Sequence, residues 1–316
     1  MSQPETIQHA APATSRPGDD LLPASTSMGA VTLLVGDLDL MTRYYRDAVM
    51  LTVLRAEGDE VTLGRHGTEL LVLRHDPALP PGSPRSAGLF HTAILFEDQA
   101  ALAAALASVA VRAPGTYSGA GDHDVSEAFY FTDPEGNGVE LYVDRPRSSW
   151  EWIGGQVKMG TSWLDPNRFL AEHLTDAARE LIATAQPAIP TTPAAGLAGA
   201  VVGHVHLQVG DTRTARQFYV DQLGFEATLE MPGQALFVSA GGYHHHMAMN
   251  TWNSAGAGPR LPALGLGTVD IVVPSTQEIV ALADRLAARG VPTRNDGAVL
   301  RVNDPWNNLI EVRAAA

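Results

Sequence analysis

The sequence contains no cysteine, which excludes disulfides, thiolate metal sites and cysteine nucleophiles. Positive charge is sparse: 21 Lys and Arg stand against 35 Asp and Glu, the formal net charge is -14, and Lys158 is the sole lysine. No basic cluster of the kind that follows a phosphate backbone occurs, which argues against a nucleic-acid partner. Nor is there a run of about 18 consecutive apolar residues that could span a membrane. The opening MSQPETIQHAAPATSRPGDD lacks the basic start and apolar core of a secretory signal. The expectation is a soluble, cytoplasmic protein with no membrane partner.

What is present is organised as a repeat. In VTLLVGDLDLMTRYYRD, Val31, Leu33 and Val35 alternate as in a strand, and Met41, Tyr44 and Tyr45 then share a helix face. VHLQVGDTRTARQFYVD returns the design: Val205, Leu207, Val209, Gly210, Asp211, Tyr219 and Asp221 match Val31, Leu33, Val35, Gly36, Asp37, Tyr45 and Asp47 at one constant offset. A second pair, TDPEGNGVEL and NDPWNNLIEV, aligns Asp133, Pro134, Asn137 and Glu140 with Asp304, Pro305, Asn308 and Glu311. Each of these follows a strand and an Ala/Leu-rich helix.

The chain therefore reads as four units of strand, helix and further strands, over 28–76, 88–143, 202–254 and 264–313. A Pro-, Ser- and Thr-rich tail over 1–27 is expected to be disordered. The connector, 144–200, holds the aromatic stretch SSWEWIGG, a predicted helix over 167–184 capped near Asp165-Pro166, and the turn-rich run QPAIPTTPAAG.

Strand period places Val205, Leu207 and Val209 on one face of unit three's first strand and His204, His206 and Gln208 on the other. His91 holds the place of His204 in unit two, each seven residues before the aspartate (Asp98, Asp211) that opens the helical segment. In unit two's last strand Glu140 and Tyr142 share a face. A lone strand histidine is more often a hydrogen-bonded or surface residue than a ligand. Two histidines and a carboxylate at corresponding positions are more specific, because this set holds a divalent metal while leaving coordination positions open.

FHTAILFED, DHDVSEAFYFTDPEGNGVELY, GHVHLQVGD and HHHMAMN resemble the vicinal-oxygen-chelate superfamily, and within it the two-domain extradiol ring-cleaving dioxygenases of the catechol 2,3-dioxygenase type. The resemblance spans about residues 28–313. It implies an α+β fold in which four βαβββ modules pair into two curved, funnel-like mixed sheets with helices outside. It further implies Fe(II), with Mn(II) second, held by His91, His204 and Glu140. His245 becomes the acid/base histidine, with Tyr130 and His123 facing an aromatic diol that reacts with dioxygen. A metal-dependent isomerase or lyase, and a drug-binding protein, are the alternatives, and a homo-oligomer is possible.

One departure bears on architecture. Unit four has Thr268 where a ligating histidine would stand, although Glu311 remains, and unit one has Ala30. Pairing neighbouring units would leave each site a ligand short unless His206 or water filled the gap. Units two and three sharing one funnel, within the chain or across a dimer, would complete the triad and leave units one and four structural. Alternation also sends His245 to one strand face and His244 and His246 to the other, with His246 in reserve as the acid/base.

Overall fold

The computed structural model describes residues 20–184 and 197–315. The chain runs β1 (Ser27–Val35), α1 (Leu38–Arg43) continuing as a π-helical stretch (Tyr44–Ala48), β2 (Thr52–Glu57), β3 (Glu60–Arg65) and β4 (Thr68–His75). It continues as β5 (Gly88–Phe96), α2 (Gln99–Arg112), β6 (Tyr117–Asp122), β7 (Ser126–Thr132) and β8 (Gly138–Asp144). The short strands β9 (Trp152–Ile153) and β10 (Gln156–Val157) and the helices α3 (Pro166–His173) and α4 (Asp176–Ala183) follow. Then come β11 (Ala200–Gln208), α5 (Thr212–Ala215) with its π-helical continuation (Arg216–Gln222), β12 (Glu226–Met231), β13 (Ala235–Ser239) and β14 (Met247–Asn250). The last elements are β15 (Gly265–Val273), α6 (Thr276–Ala288), β16 (Thr293–Asn295), β17 (Val299–Asn303) and β18 (Leu309–Ala314).

These strands form two open eight-stranded sheets, ordered β16-β17-β18-β15-β1-β4-β3-β2 and β12-β13-β14-β11-β5-β8-β7-β6. Both are mixed: β1 with β4, β5 with β8, β11 with β14 and β15 with β18 run parallel, and the other neighbours are antiparallel. The antiparallel seams β1–β15 and β11–β5 therefore join the first unit to the fourth and the second to the third.

Helix α2 is buried along nine consecutive residues, Ala101–Val109. It lies on β5 and β8 and is covered by α3, α4 and the first π-helical stretch, which is why its sequence is apolar on every side rather than striped. Helix α6, in contrast, buries Ile279, Leu282 and Leu286, a single stripe facing its sheet. The repeated aspartates are caps: Asp37 accepts from Leu40 N, Asp98 from Ala101 N, and Asp211 from Arg213 N and Thr214 N. The repeated tyrosine and Asp-Pro positions meet as well. Tyr45 donates to Asp133 (2.8 Å) and Tyr219 to Asp304 (2.9 Å), two buried bonds that each tie an element following one sheet's strand to a turn of the other sheet.

Two expectations change. The helix predicted over 167–184 is two helices, because Leu174 turns extended and the Thr175 side chain caps a fresh start by accepting from Ala178 N. Of the expected tail, residues 1–19 lie outside the described residues, as does 185–196 of the Pro-rich run. Residues 20–27 are packed: Leu22 is buried in the main core, its N–H donates to Gly224 O (2.8 Å), and Ser27 opens β1.

Candidate metal centre

The seam between β5 and β11 sets His204 opposite Ala93 and His206 opposite His91. On the other side of β5, β8 runs parallel with Glu140 beside Ala93, and β7 places Tyr130 opposite Glu140. Ala93 is thus the shared neighbour of His204 and Glu140, and its small side chain leaves the space into which the longer ones converge. His91 Nε2, His204 Nε2 and Glu140 Oε2 lie 3.3, 3.0 and 3.2 Å apart pairwise. All three side chains are buried, and they form a metal-capable group among the described residues.

These separations fit a single ion. Adjacent donors on one octahedral face, with bonds of about 2.1 Å, sit roughly 3 Å apart. The charge fits too. Burial disfavours the Glu140 carboxylate, but attraction to His204 and His91 outweighs it and holds the group well below the usual carboxylate range. Glu140 is then an interior anion whose ion-pair partners among the described residues are the two histidines alone. A buried carboxylate without a fixed cation is costly, and a divalent ion relieves that cost.

The donors lie at the floor of a cavity of about 540 Å³. Phe90, Leu229, Met231, Phe237 and Trp252 line its apolar side; His245, Tyr130 and His123 line the polar one. Met159 to Thr161 of the connector complete the wall, held there by the paired backbone bonds between Asp122 and Ser162 (2.9 and 3.0 Å). Tyr130 Oη is 2.7 Å from His123 Nε2, and His123 Nδ1 donates to Gly160 O at 3.0 Å. Burial, reinforced by the Glu140 charge, holds the Tyr130 phenol well above its ordinary range. His206 stands on the wall outside the triad, accepting at Nε2 from Asn250 Nδ2 (2.9 Å).

A profile of the Glyoxalase/Bleomycin resistance protein/Dioxygenase superfamily matches residues 27–141 and 201–312. The chain belongs to this superfamily. It is 35% identical over 285 residues to a catechol-2,3-dioxygenase of Bacillus subtilis (strain 168), covering 89% of this chain and 94% of that one. The fold is shared with a second Bacillus subtilis protein (TM-score 0.59, 11% identity, 91% of this chain and 84% of that one). It is shared also with glyoxalase I of Zea mays (TM-score 0.52, 16% identity, 92% of each chain).

Within this superfamily chain the histidine triplet is not regular strand. β14 starts only at Met247, because Gly241 and Gly242 turn the chain with positive φ (63° and 68°), and a side chain on Gly241 would strike Ala24 O. The three rings nevertheless diverge. His245 enters the cavity and packs against His204 with ring centroids 4.0 Å apart and planes tilted by 49°. His244 turns to Asp144 (2.9 Å), and His246 Nδ1 accepts from Ala240 N (3.2 Å).

Sequence reasoning missed the groups beneath the triad. His204 Nδ1 lies 3.3 Å from Tyr142 Oη, which lies 2.7 Å from Tyr243 Oη. The signals available were Tyr142 sharing a face with Glu140, and Gly203. A Cβ on Gly203 would fall 1.8 Å from Tyr142 Oη, so only glycine admits that hydroxyl under the ligand histidine. Tyr243 packs with Val125, Trp150 and Val157, which accounts for the aromatic connector.

Among the described residues the other sheet has no equivalent donor set. Glu311, the counterpart of Glu140, is held by Arg301 (2.7 Å) and by Arg313, which also pairs with Asp270 (2.9 Å). Thr268 and Ala30 stand where its histidines would be.

Proposed function

We propose that the protein cleaves the ring of an aromatic diol by the extradiol route, using dioxygen and an Fe(II) ion held by His91, His204 and Glu140. The observation that carries this reading is the convergence of two imidazoles and one carboxylate, 3.0–3.3 Å apart, at the floor of an apolar-walled cavity. The 35% identity to a protein named catechol-2,3-dioxygenase supports it. When bound, a redox-active ion such as Fe(II), or less suitably Mn(II), supplies the electron exchange that lets dioxygen react with the diol.

The chain's own groups do the rest. Phe90, Phe237 and Trp252 enclose the aromatic ring and exclude water, while the two diol oxygens face the polar floor. Burial, aided by the neighbouring histidines, holds His245 well below the ordinary histidine range, so the ring is neutral and able to accept a diol proton. Tyr130 stays protonated; its proton is held by His123 Nε2, which orients it, and its oxygen accepts from a diol hydroxyl. In this reading units two and three are the catalytic half and units one and four the structural half.

No Lys or Arg is among the residues lining the cavity, so the substrate is an uncharged catechol with room for an apolar substituent. The test is anaerobic loading with Fe(II), addition of oxygen, and a panel of catechols. Stoichiometric oxygen uptake with a yellow ring-opened semialdehyde supports the proposal. Diol binding without oxygen uptake in fully iron-loaded protein defeats it.

A further inference from the structure

We propose that Asp144, although outside the cavity, fixes which nitrogen of His245 carries a proton, so that His245 presents a bare Nε2 to the site. Asp144 ends β8 and is 22% exposed at its side chain. His244, whose side chain is fully buried, sets Nε2 2.9 Å from Asp144 Oδ1. A carboxylate only accepts, so His244 Nε2–H donates. In a neutral His244 the remaining nitrogen, Nδ1, is then an acceptor. It faces His245 Nδ1 at 2.8 Å, and one proton fits between two nitrogens, so His245 Nδ1–H donates. The remaining nitrogen of His245 is Nε2, left with a free lone pair.

The histidine pair His244-His245 is thus a divided device. One ring reaches the cavity and the other tells it which face to offer. Asp144 and His244 are positioning residues; His245 touches substrate.

The inference rests on His245 being the base, and the experiment separates the two claims. The full chain, labelled with 15N-histidine and loaded with diamagnetic Zn²⁺, is read by long-range 1H–15N NMR, with His245→Gln for assignment. The expected spectrum shows His245 protonated at Nδ1 and bare at Nε2. Asp144→Asn, whose amide can donate to His244, should mix or reverse that pattern and lower kcat about 10- to 100-fold at saturating iron, with KM for the diol unchanged. Asp144→Glu should restore both.

A proton on His245 Nε2 in the wild type overturns the proposal and needs no variant to fold. So does an Asp144→Asn protein with wild-type spectrum and kcat. If His245 shows the stated tautomer but His245→Gln turns over at the wild-type rate, the functional reading fails and the anchoring by Asp144 stands.

Discussion

His204 Nε2 lies 3.2 Å from Glu140 Oε2 although 64 residues separate them in the chain. Each is a donor the other cannot replace, so His204→Ala should lose metal and turnover together. We expect metal affinity to fall by about 100-fold or more, measured by metal content after dialysis, with oxygen uptake lost in parallel. Wild-type affinity in the variant would remove His204 from the site.

Removing the ion should also lower stability. Binding to the native state alone stabilises by mass action, about 2.7 kcal/mol at 100 times Kd, and an ion held by this group would additionally neutralise buried Glu140. Thermal unfolding with and without a chelator is expected to show a lower Tm in the metal-free protein. An unchanged Tm in protein shown to have been loaded would contradict this.

His245 packs against His204 without belonging to the triad. His245→Ala is therefore expected to keep its metal and lose about 100-fold or more in kcat, the range of a removed general acid/base. Metal analysis and single-turnover kinetics on the same sample distinguish this from collapse of the site.

No Lys or Arg is among the described residues lining the cavity, so a carboxylate on a ring substituent would be desolvated without a side-chain partner. Alkyl-substituted catechols should exceed carboxylated ones by about 100-fold in kcat/KM. Leu229→Arg, on the wall, should narrow that ratio. Equal rates on both substrate types would place the ring substituent elsewhere.

Gly203 permits the approach of Tyr142. Gly203→Ala must displace the hydroxyl, at a cost of about 1–3 kcal/mol in stability and about 10-fold or more in metal affinity. Combining it with Tyr142→Phe should recover stability but not affinity, read by denaturant unfolding and metal titration.

In the sheet of units one and four, burial raises Asp270 to about 6 despite Arg313 beside it. The unfolded group titrates near 3.9, so the unfolded state ionises first as pH rises. Stability from this site is complete below about pH 4 and is lost through about pH 6, a change on the order of 3 kcal/mol. Asp270→Asn should therefore gain stability relative to wild type between pH 4 and 7, checked by urea unfolding at both. A constant difference would contradict the assignment.

The sequence by itself determined the local grammar. Alternation placed His204 opposite Val205 in facing, the repeated aspartates marked helix starts, and the repeat exposed Thr268 and Ala30 as substitutions at ligand positions. These are readable because side-chain direction and capping depend on residues a few positions apart. The same reasoning failed where backbone departed from regular period, at Leu174 and at the glycine turn before β14.

Only the tertiary structure decided which strands meet. Closing a long loop costs little more than closing a shorter one, so chain distance does not rank the β11–β5 seam against a neighbouring pairing. That seam gathers donors up to 113 residues apart. It also sets His244 against Asp144, 100 residues away, a contact with no periodicity to announce it, because one side chain ends a strand and the other leaves a turn.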